Sequence, residues 1–380
     1  MKKVCYIFLL FLFSQISFSQ YNEQWKGYFS YSAIKDISQS NTSIYAASEN
    51  ALFSLNNVSN VLRTTNTVDG LAGEIISALH YSRFFNKTII GYENGLILII
   101  NDSDGTILNV VDIINKQLPA NIKKVNHINE FDGILYISCD FGIVQYDLAT
   151  LGFGDTYFIG SSGEEIMVNQ TAVFNGKIYA ATNQGIKVAS VTNPNLNDFM
   201  QWQQIMPGIW NGIETFKTQL IAAENTGRLT KLQGNTFVTI SQFPSLIQDL
   251  RATEDFLTVT TAGTVYIYNI NLAVAAQVNN YSIPQPYPFF TCATVINGAI
   301  YIGTLENGLL QTDIFNPTTF QNIEPTGPIR NGIFSINAAG PDLWAVYGGY
   351  NEPYAPTEQY GYGISKFSNS TWKNIPYDEV

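Results

Sequence analysis

Charge is scarce in this chain. Only 13% of its 380 residues are Asp, Glu, Lys or Arg, about half the usual share. Positive charge is the scarcer kind, with 19 basic residues against 30 acidic ones and a net charge of −11. A nucleic-acid binder needs a basic footprint, and the chain has none. The acidic balance also disfavours adsorption to anionic lipid. Histidine occurs twice, as His80 and His127, in segments that read as strands with hydrogen-bonded structural rings. There is no His-Glu-x-x-His, no Gly-x-Ser-x-Gly, no Walker loop and no Cys-x-x-Cys. No catalytic residue, cofactor-binding residue or metal ligand is therefore assigned, and the chain is read as a non-enzyme. Asp102-Ser103-Asp104-Gly105 opens like a calcium loop but lacks the remaining ligands and final Glu. It reads as a solvated turn. Glu164-Glu165 reads as part of the loop after residues 160–163, because neighbours on a strand face opposite ways.

Long apolar runs are missing too, apart from one at the N-terminus. Lys2-Lys3, the apolar stretch 4–13 and Ser17-Phe18-Ser19 have the layout of a secretory signal peptide. The reading is a leader over 1–20 and a mature chain over 21–380. Losing the two leader lysines takes the net charge from −11 to −13. Cys5 lies too early for a lipoprotein cysteine. No later segment is long and apolar enough to span a bilayer. Maturation leaves Cys139 and Cys292, read as two buried thiols on distant strands. A single disulfide is the alternative.

What the chain does have is apolar mass, aromatic rings and glycine. Hydrophobic residues make up 46%, with 24 Phe, 22 Tyr and 29 Gly. That profile suits short strands joined by tight turns, not a helical bundle. A pattern then recurs: Ile44-Tyr45-Ala46-Ala47-Ser48, Ile89-Ile90-Gly91-Tyr92-Glu93-Asn94-Gly95-Leu96, Leu135-Tyr136-Ile137-Ser138-Cys139-Asp140-Phe141-Gly142 and Ile178-Tyr179-Ala180-Ala181-Thr182-Asn183-Gln184-Gly185. Each is a strand, a turn and a second strand. The anchors fall at 51, 95, 142, 185, 227, 263 and 308, in steps of 44, 47, 43, 42, 36 and 45. An eighth copy starts at Leu343 and resumes at Gly363, so it holds an insertion of about ten residues against the usual period. A second hairpin precedes each anchor, at Asp132-Gly133, Asn175-Gly176 and Asn297-Gly298. Residues 236–240 suit a fourth strand.

Four strands in about 40–50 residues is the signature of a β-propeller. The expected fold is all-β, a propeller of four-stranded antiparallel blades. Small apolar strands such as Tyr179-Ala180-Ala181-Thr182 are expected innermost. Gln24-Trp25-Lys26-Gly27-Tyr28 resembles Thr371-Trp372-Lys373-Asn374-Ile375, so the N-terminal copy is expected to complete the last blade of the ring. Eight repeats then give seven closed blades with the last repeat, about 330–380, opening a second domain. Eight closed blades is the alternative.

Exposed aromatics in irregular segments are the candidate interaction surface. The insertion holds Tyr347, Tyr350, Tyr354, Tyr360 and Tyr362 with Pro353 and Pro356. Tyr-rich loops make rigid amphipathic contact surfaces. Trp210 and Tyr287, both between repeats, are added to them.

The opening also resembles the N-terminal propeller of the PorZ family. The residues that carry this are Trp25, residues 44–48, Asp69-Gly70-Leu71-Ala72-Gly73-Glu74-Ile75 and Ile90-Gly91-Tyr92-Glu93-Asn94-Gly95-Leu96-Ile97. The resemblance is clearest over about 25–150. It implies an exported, non-catalytic interaction module of the type IX secretion system of Bacteroidetes, on the outer-membrane surface. The implied partners are the sortase PorU, with PorV and PorQ, in a complex that matures cargo and anchors it to anionic lipopolysaccharide. Family members carry two propellers and a C-terminal sorting-type domain, so a chain of this length reads as a fragment or a short relative. Similar repeats occur in periplasmic glycan-sensing propellers of two-component regulators, which is the alternative function and places the chain in the periplasm.

Overall fold

The computed structural model describes residues 26–284, 287–357, 363–376 and 379. The expected leader and Trp25 lie outside the described residues. Among the described residues there is no α-helix, and eight antiparallel four-stranded sheets carry the chain. The β-propeller expectation is borne out.

Each sheet is a meander whose turns follow from local chemistry. In the fourth sheet, Val168–Phe174 turns into Lys177–Thr182 through Asn175 at φ 49° and Gly176 at φ 71°. Asp132-Gly133 and Asn297-Gly298 do the same. Two successive positive φ values match the twist of the flanking strands, and Asn, Asp and Gly adopt them at least cost. The anchor glycines have a second reason. A Cβ on Gly185 would lie 2.3 Å from the Met206 carbonyl oxygen, and one on Gly142 would lie 2.2 Å from that of Tyr157. In these two blades the fourth strand passes too close for any side chain there.

Seven sheets close a ring. Their first strands are Asp36–Gln39, Ile76–Ser82, Val125–Phe131, Val168–Phe174, Trp210–Phe216, Ile247–Ala252 and Phe290–Ile296. Each packs against the next, and the seventh packs back on the first. The apolar core is correspondingly divided into seven clusters, one at each junction between blades. The closing cluster joins Tyr31, Ile34, Ile37 and Phe53 to Cys292, Tyr301 and Leu309. A belt of hydrogen bonds runs with the cores. Ser77 Oγ donates to Val125 O at 2.7 Å, Asn126 Nδ2 to Val168 O at 3.0 Å and Asn169 Nδ2 to Trp210 O at 2.8 Å. Asn211 Nδ2 donates to Ile247 O at 3.2 Å, and Thr291 Oγ1 to Ile34 O at 2.9 Å across the closing seam. Every donor sits at a bulge in a first strand. The extra residue points sideways at the next blade instead of up or down.

Two expectations are corrected here. The small apolar strands are the second of each blade, not the innermost. They are small because the next first strand packs on them: a Cβ on Gly91 of blade two would stand 2.5 Å from Cγ1 of Val125 in the first strand of blade three. Nor do the described residues of the N-terminal segment supply a strand. Blades one and seven are each built from four consecutive strands, and Lys26, Gly27 and Tyr28 belong to none. Tyr28 instead packs its ring on Phe367 and Trp372, at 4.8 and 5.7 Å between centroids.

Those two rings belong to the eighth sheet, Ile333–Ala339, Asp342–Tyr347, Ile364–Ser368 and Thr371–Ile375. It stands outside the seven-blade core. Every residue of its first strand is exposed, whereas first strands in the ring are mostly buried. It is tied to the ring by Ser30 and Ser32, whose hydroxyls both donate to Ile329 O, and by Asn331, which donates to Glu49 at 3.2 Å.

Candidate functional site

First strands converge on the axis, so their axial side chains meet there although they are far apart in sequence. On the face carrying the first hairpin turns they line a cavity of about 880 Å³. Its base is a buried ionic cluster. Arg251 donates through Nη2 to Asp36 Oδ1 at 2.6 Å and to Asp249 at 3.3 Å, and through Nη1 to Ile37 O. Asp36 also accepts from Leu79 N at 2.7 Å. Burial pushes the Asp36 carboxyl up, and Arg251 opposes it. Burial likewise works against the Arg251 charge, but Asp249 and Asp36 hold its guanidinium firmly protonated.

Beside this cluster, Glu214 accepts from Gln170 Nε2 at 2.9 Å and from Thr215 N at 3.1 Å. Burial drives its carboxyl up to about 8, against the pull of Arg251. Glu214 therefore carries a proton at neutral pH. On the opposite wall His80 Nε2 meets Glu130 Oε2 at 2.8 Å, and Ser82 Oγ donates to Glu130 Oε1 at 2.9 Å. The hydrogen-bonded role expected of His80 holds. His127 differs from expectation: its Nδ1 is buried without a partner, as are Asn129 Oδ1 and Arg251 Nε. Burial, with Arg251 and His80 nearby, pushes the His127 imidazole down to about 3, so the ring is neutral. At the rim stand Arg83, Asp132, Glu254 and the Phe84–Phe85 pair, edge to face at 4.9 Å. Phe84 is 83% exposed.

The aromatic candidates separate. Trp210 is corrected: it is wholly buried, donates Nε1–H to Pro207 O at 3.0 Å and packs on Phe237. It opens the first strand of blade five, where the residue before the bulge faces the core. Tyr287 is 45% exposed and stands edge-on to Tyr281 at 5.0 Å. Tyr350 is exposed and packs edge-on against Phe334, and Tyr354 is exposed at φ 60° in the insertion. Tyr347 is partly buried, with its hydroxyl bonded to Ser365 Oγ. Tyr360 and Tyr362 lie outside the described residues. Blades one, two, three, five, six and seven line the axial cavity, and the tyrosines are not brought together with it.

The remaining motifs resolve as turns. Asp104 accepts from Thr106 N and Oγ1. Glu164 accepts from Ser161 N and Ser162 N. Cys139 and Cys292 are free buried thiols, as expected. Among the described residues no three His, Cys, Asp or Glu side chains are grouped to hold a metal ion. No helix among them is long and apolar enough to cross a membrane.

Comparison with known proteins completes the picture. Residues 44–203 match the family model described as the N-terminal β-propeller domain of PorZ of the type IX secretion system. No curated protein sequence matches the chain. Among solved structures, PorZ of Porphyromonas gingivalis, described as an essential bacterial surface component of the type IX secretion system, superposes with a TM-score of 0.77 at 16% identity. The match covers 93% of this chain and 46% of that one, so the chain spans about half the length of that relative. The computationally designed Ika8 protein superposes at 0.51 with 11% identity, covering 83% of this chain and 94% of that one. Both likenesses are of fold. The family match falls on blades one to four, including the Asp69-Gly70-Leu71 loop, where Asp69 accepts from Asn66 N and Leu71 is buried. Over residues 44–203 the chain is therefore similar to the N-terminal β-propeller domain of PorZ, and the solved PorZ structure shares its fold.

Proposed function

We propose that this propeller is a non-catalytic interaction module of the type IX secretion attachment complex, exported and held at the outer-membrane surface. The observation that carries this reading is the PorZ family match over residues 44–203, lying on the closed ring. In this role it works with proteins resembling PorU, PorV and PorQ while cargo is matured and anchored to anionic lipopolysaccharide. The rigid ring presents loops, and the exposed tyrosines Tyr287, Tyr350 and Tyr354 are the contact residues. The eighth sheet, with its fully exposed first strand, is read as the first blade of a second domain.

The test is an in-frame deletion of the gene in its own bacterium, followed by examination of cargo carrying sorting domains. Uncleaved cargo, or cargo lost from the surface and restored by complementation, supports the reading. Normal maturation and attachment of every cargo overturns it and directs attention to a glycan-sensing role.

A further inference from the structure

The axial cavity is short of positive charge. Glu130, Asp132, Glu214 and Glu254 line it, and the two cationic side chains among the described lining residues with permanent charge are Arg83 and Arg251. Arg251 is already shared by Asp36 and Asp249. Arg83 therefore stands against four carboxyls, one of which is partnered by His80. Asn129 Oδ1, an acceptor, and His127 Nδ1 are buried with no partner, as is the donor Arg251 Nε. An unmet buried acceptor costs about 1–3 kcal/mol. At the rim, Phe84 and Phe85 offer aromatic surface.

These features select a ligand class. An anion would meet the carboxylates of Glu130, Asp132 and Glu254. A bare metal ion finds no grouped ligands among the described residues. A group that carries positive charge, several N–H donors and an apolar stem satisfies the acids, the Asn129 acceptor and the rings together. We infer that the axial cavity binds an organic cation, an alkylammonium or guanidinium group, borne by a Lys or Arg side chain of a polypeptide or by a free amine. The cationic head takes Glu130 or Glu214 as counter-ion, and Phe84 and Phe85 cover the stem. This site is separate from the tyrosine surfaces and does not rest on the secretion reading.

Protonation follows from the same geometry. The groups facing Glu214 are Arg251 and Asp249 from blade six, Gln170 from blade four and, behind Arg251, Asp36 from blade one; neutral His127 lines the cavity from blade three. An entering cation takes the ionised form of Glu214 and releases its proton. With a carboxyl near 8, affinity rises about tenfold between pH 7 and pH 9 and then levels off.

The experiment titrates the full chain with Nα-acetyl-lysine amide and Nα-acetyl-arginine amide by calorimetry, at pH 7 and pH 9. Nα-acetyl-norleucine amide is the neutral control, and n-butylamine and spermidine represent free amines. The cationic probes are expected to bind and the neutral one not. Glu130→Gln is expected to weaken binding about tenfold, and Glu214→Gln to remove the pH dependence. Melting curves confirm that both variants fold, and Phe84→Ala, at an exposed rim position, gives a third readout with little risk to folding. Tighter binding of the amino-acid amides supports a polypeptide source, and tighter binding of spermidine a free amine. Equal binding of the norleucine control, or unchanged affinity in Glu130→Gln and Phe84→Ala, overturns the inference.

Discussion

Arg251 of blade six donates to Asp36 of blade one at 2.6 Å, reaching past blade seven. The bond spans 215 residues of sequence and ties blade six to blade one at the axis. Asp249 and the Ile37 carbonyl complete the set. Replacing Arg251 with Met leaves two carboxylates partly buried without a counter-ion, with an expected loss of about 3–5 kcal/mol in stability. Chemical denaturation measures it. The double variant Arg251→Met, Asp36→Asn should recover part of the loss. A single variant as stable as the parent would show that the cluster does not hold the ring.

Glu214 predicts a pH dependence of opposite sign to that of an ordinary salt-bridged acid. Its folded carboxyl titrates near 8 and its unfolded one near 4.5. Between those values the folded chain holds a proton that the unfolded chain has released. The contribution is complete below about pH 4.5, declines as pH rises toward 8 and stays flat above. Glu214→Gln keeps a neutral side chain and should remove this slope. Melting temperatures of the two proteins at pH 5, 7 and 9 should diverge progressively in favour of the variant. Parallel curves would contradict the buried, proton-carrying carboxyl.

The closing seam can be probed through its own thiol. Burial pushes the Cys292 and Cys139 thiols well above their ordinary range, and the thiolate is the reactive form. Both should resist a thiol reagent in the native protein and react fully in denaturant. Gly303→Val drives new methyl groups into Cys292 Sγ and Ile34 Cγ2. A loss of about 1–3 kcal/mol is expected from overpacking, with faster labelling of Cys292 than of Cys139. Mass spectrometry of the labelled peptides distinguishes them; equal rates would place the first opening elsewhere.

Buried and exposed aromatics should respond differently to truncation. Trp210→Ala empties a core site and should cost about 3–5 kcal/mol. Tyr287→Ala and Tyr350→Ala remove partly exposed rings and should shift stability by less than about 1 kcal/mol. If the tyrosines contact the secretion machinery, these same variants should reduce co-purification of its components from detergent-treated cells. Full co-purification with both tyrosines removed would exclude them as contacts.

The architecture was written in local signals. Asp132-Gly133, Asn175-Gly176 and Asn297-Gly298 announce their turns because positive φ is a property of the residues themselves. Their spacing then reports the blade. The charged axis was not written that way. Asp36, His127, Glu214 and Arg251 come from four different blades, one from each, and form no motif. A signal was available: these are charged or polar residues within first strands whose other positions face a core. Reading first strands as innermost would have aligned them on the axis. Small second strands resemble innermost ones and hide that alignment. Trp210 is hard to place for a related reason: it stands beside a connection between repeats, yet it is the first residue of a strand and faces inward.

Because neither blade one nor blade seven borrows a strand from the other end of the chain, the seam is a junction of the same kind as the other six. A ring assembled from whole blades is indifferent to where the polypeptide enters it. The breakpoint between blades seven and one could be moved to any connection between blades, with the original ends joined by a linker. Such circular permutants would keep the axis intact, and the ones that fail would mark the junctions on which the order of assembly depends.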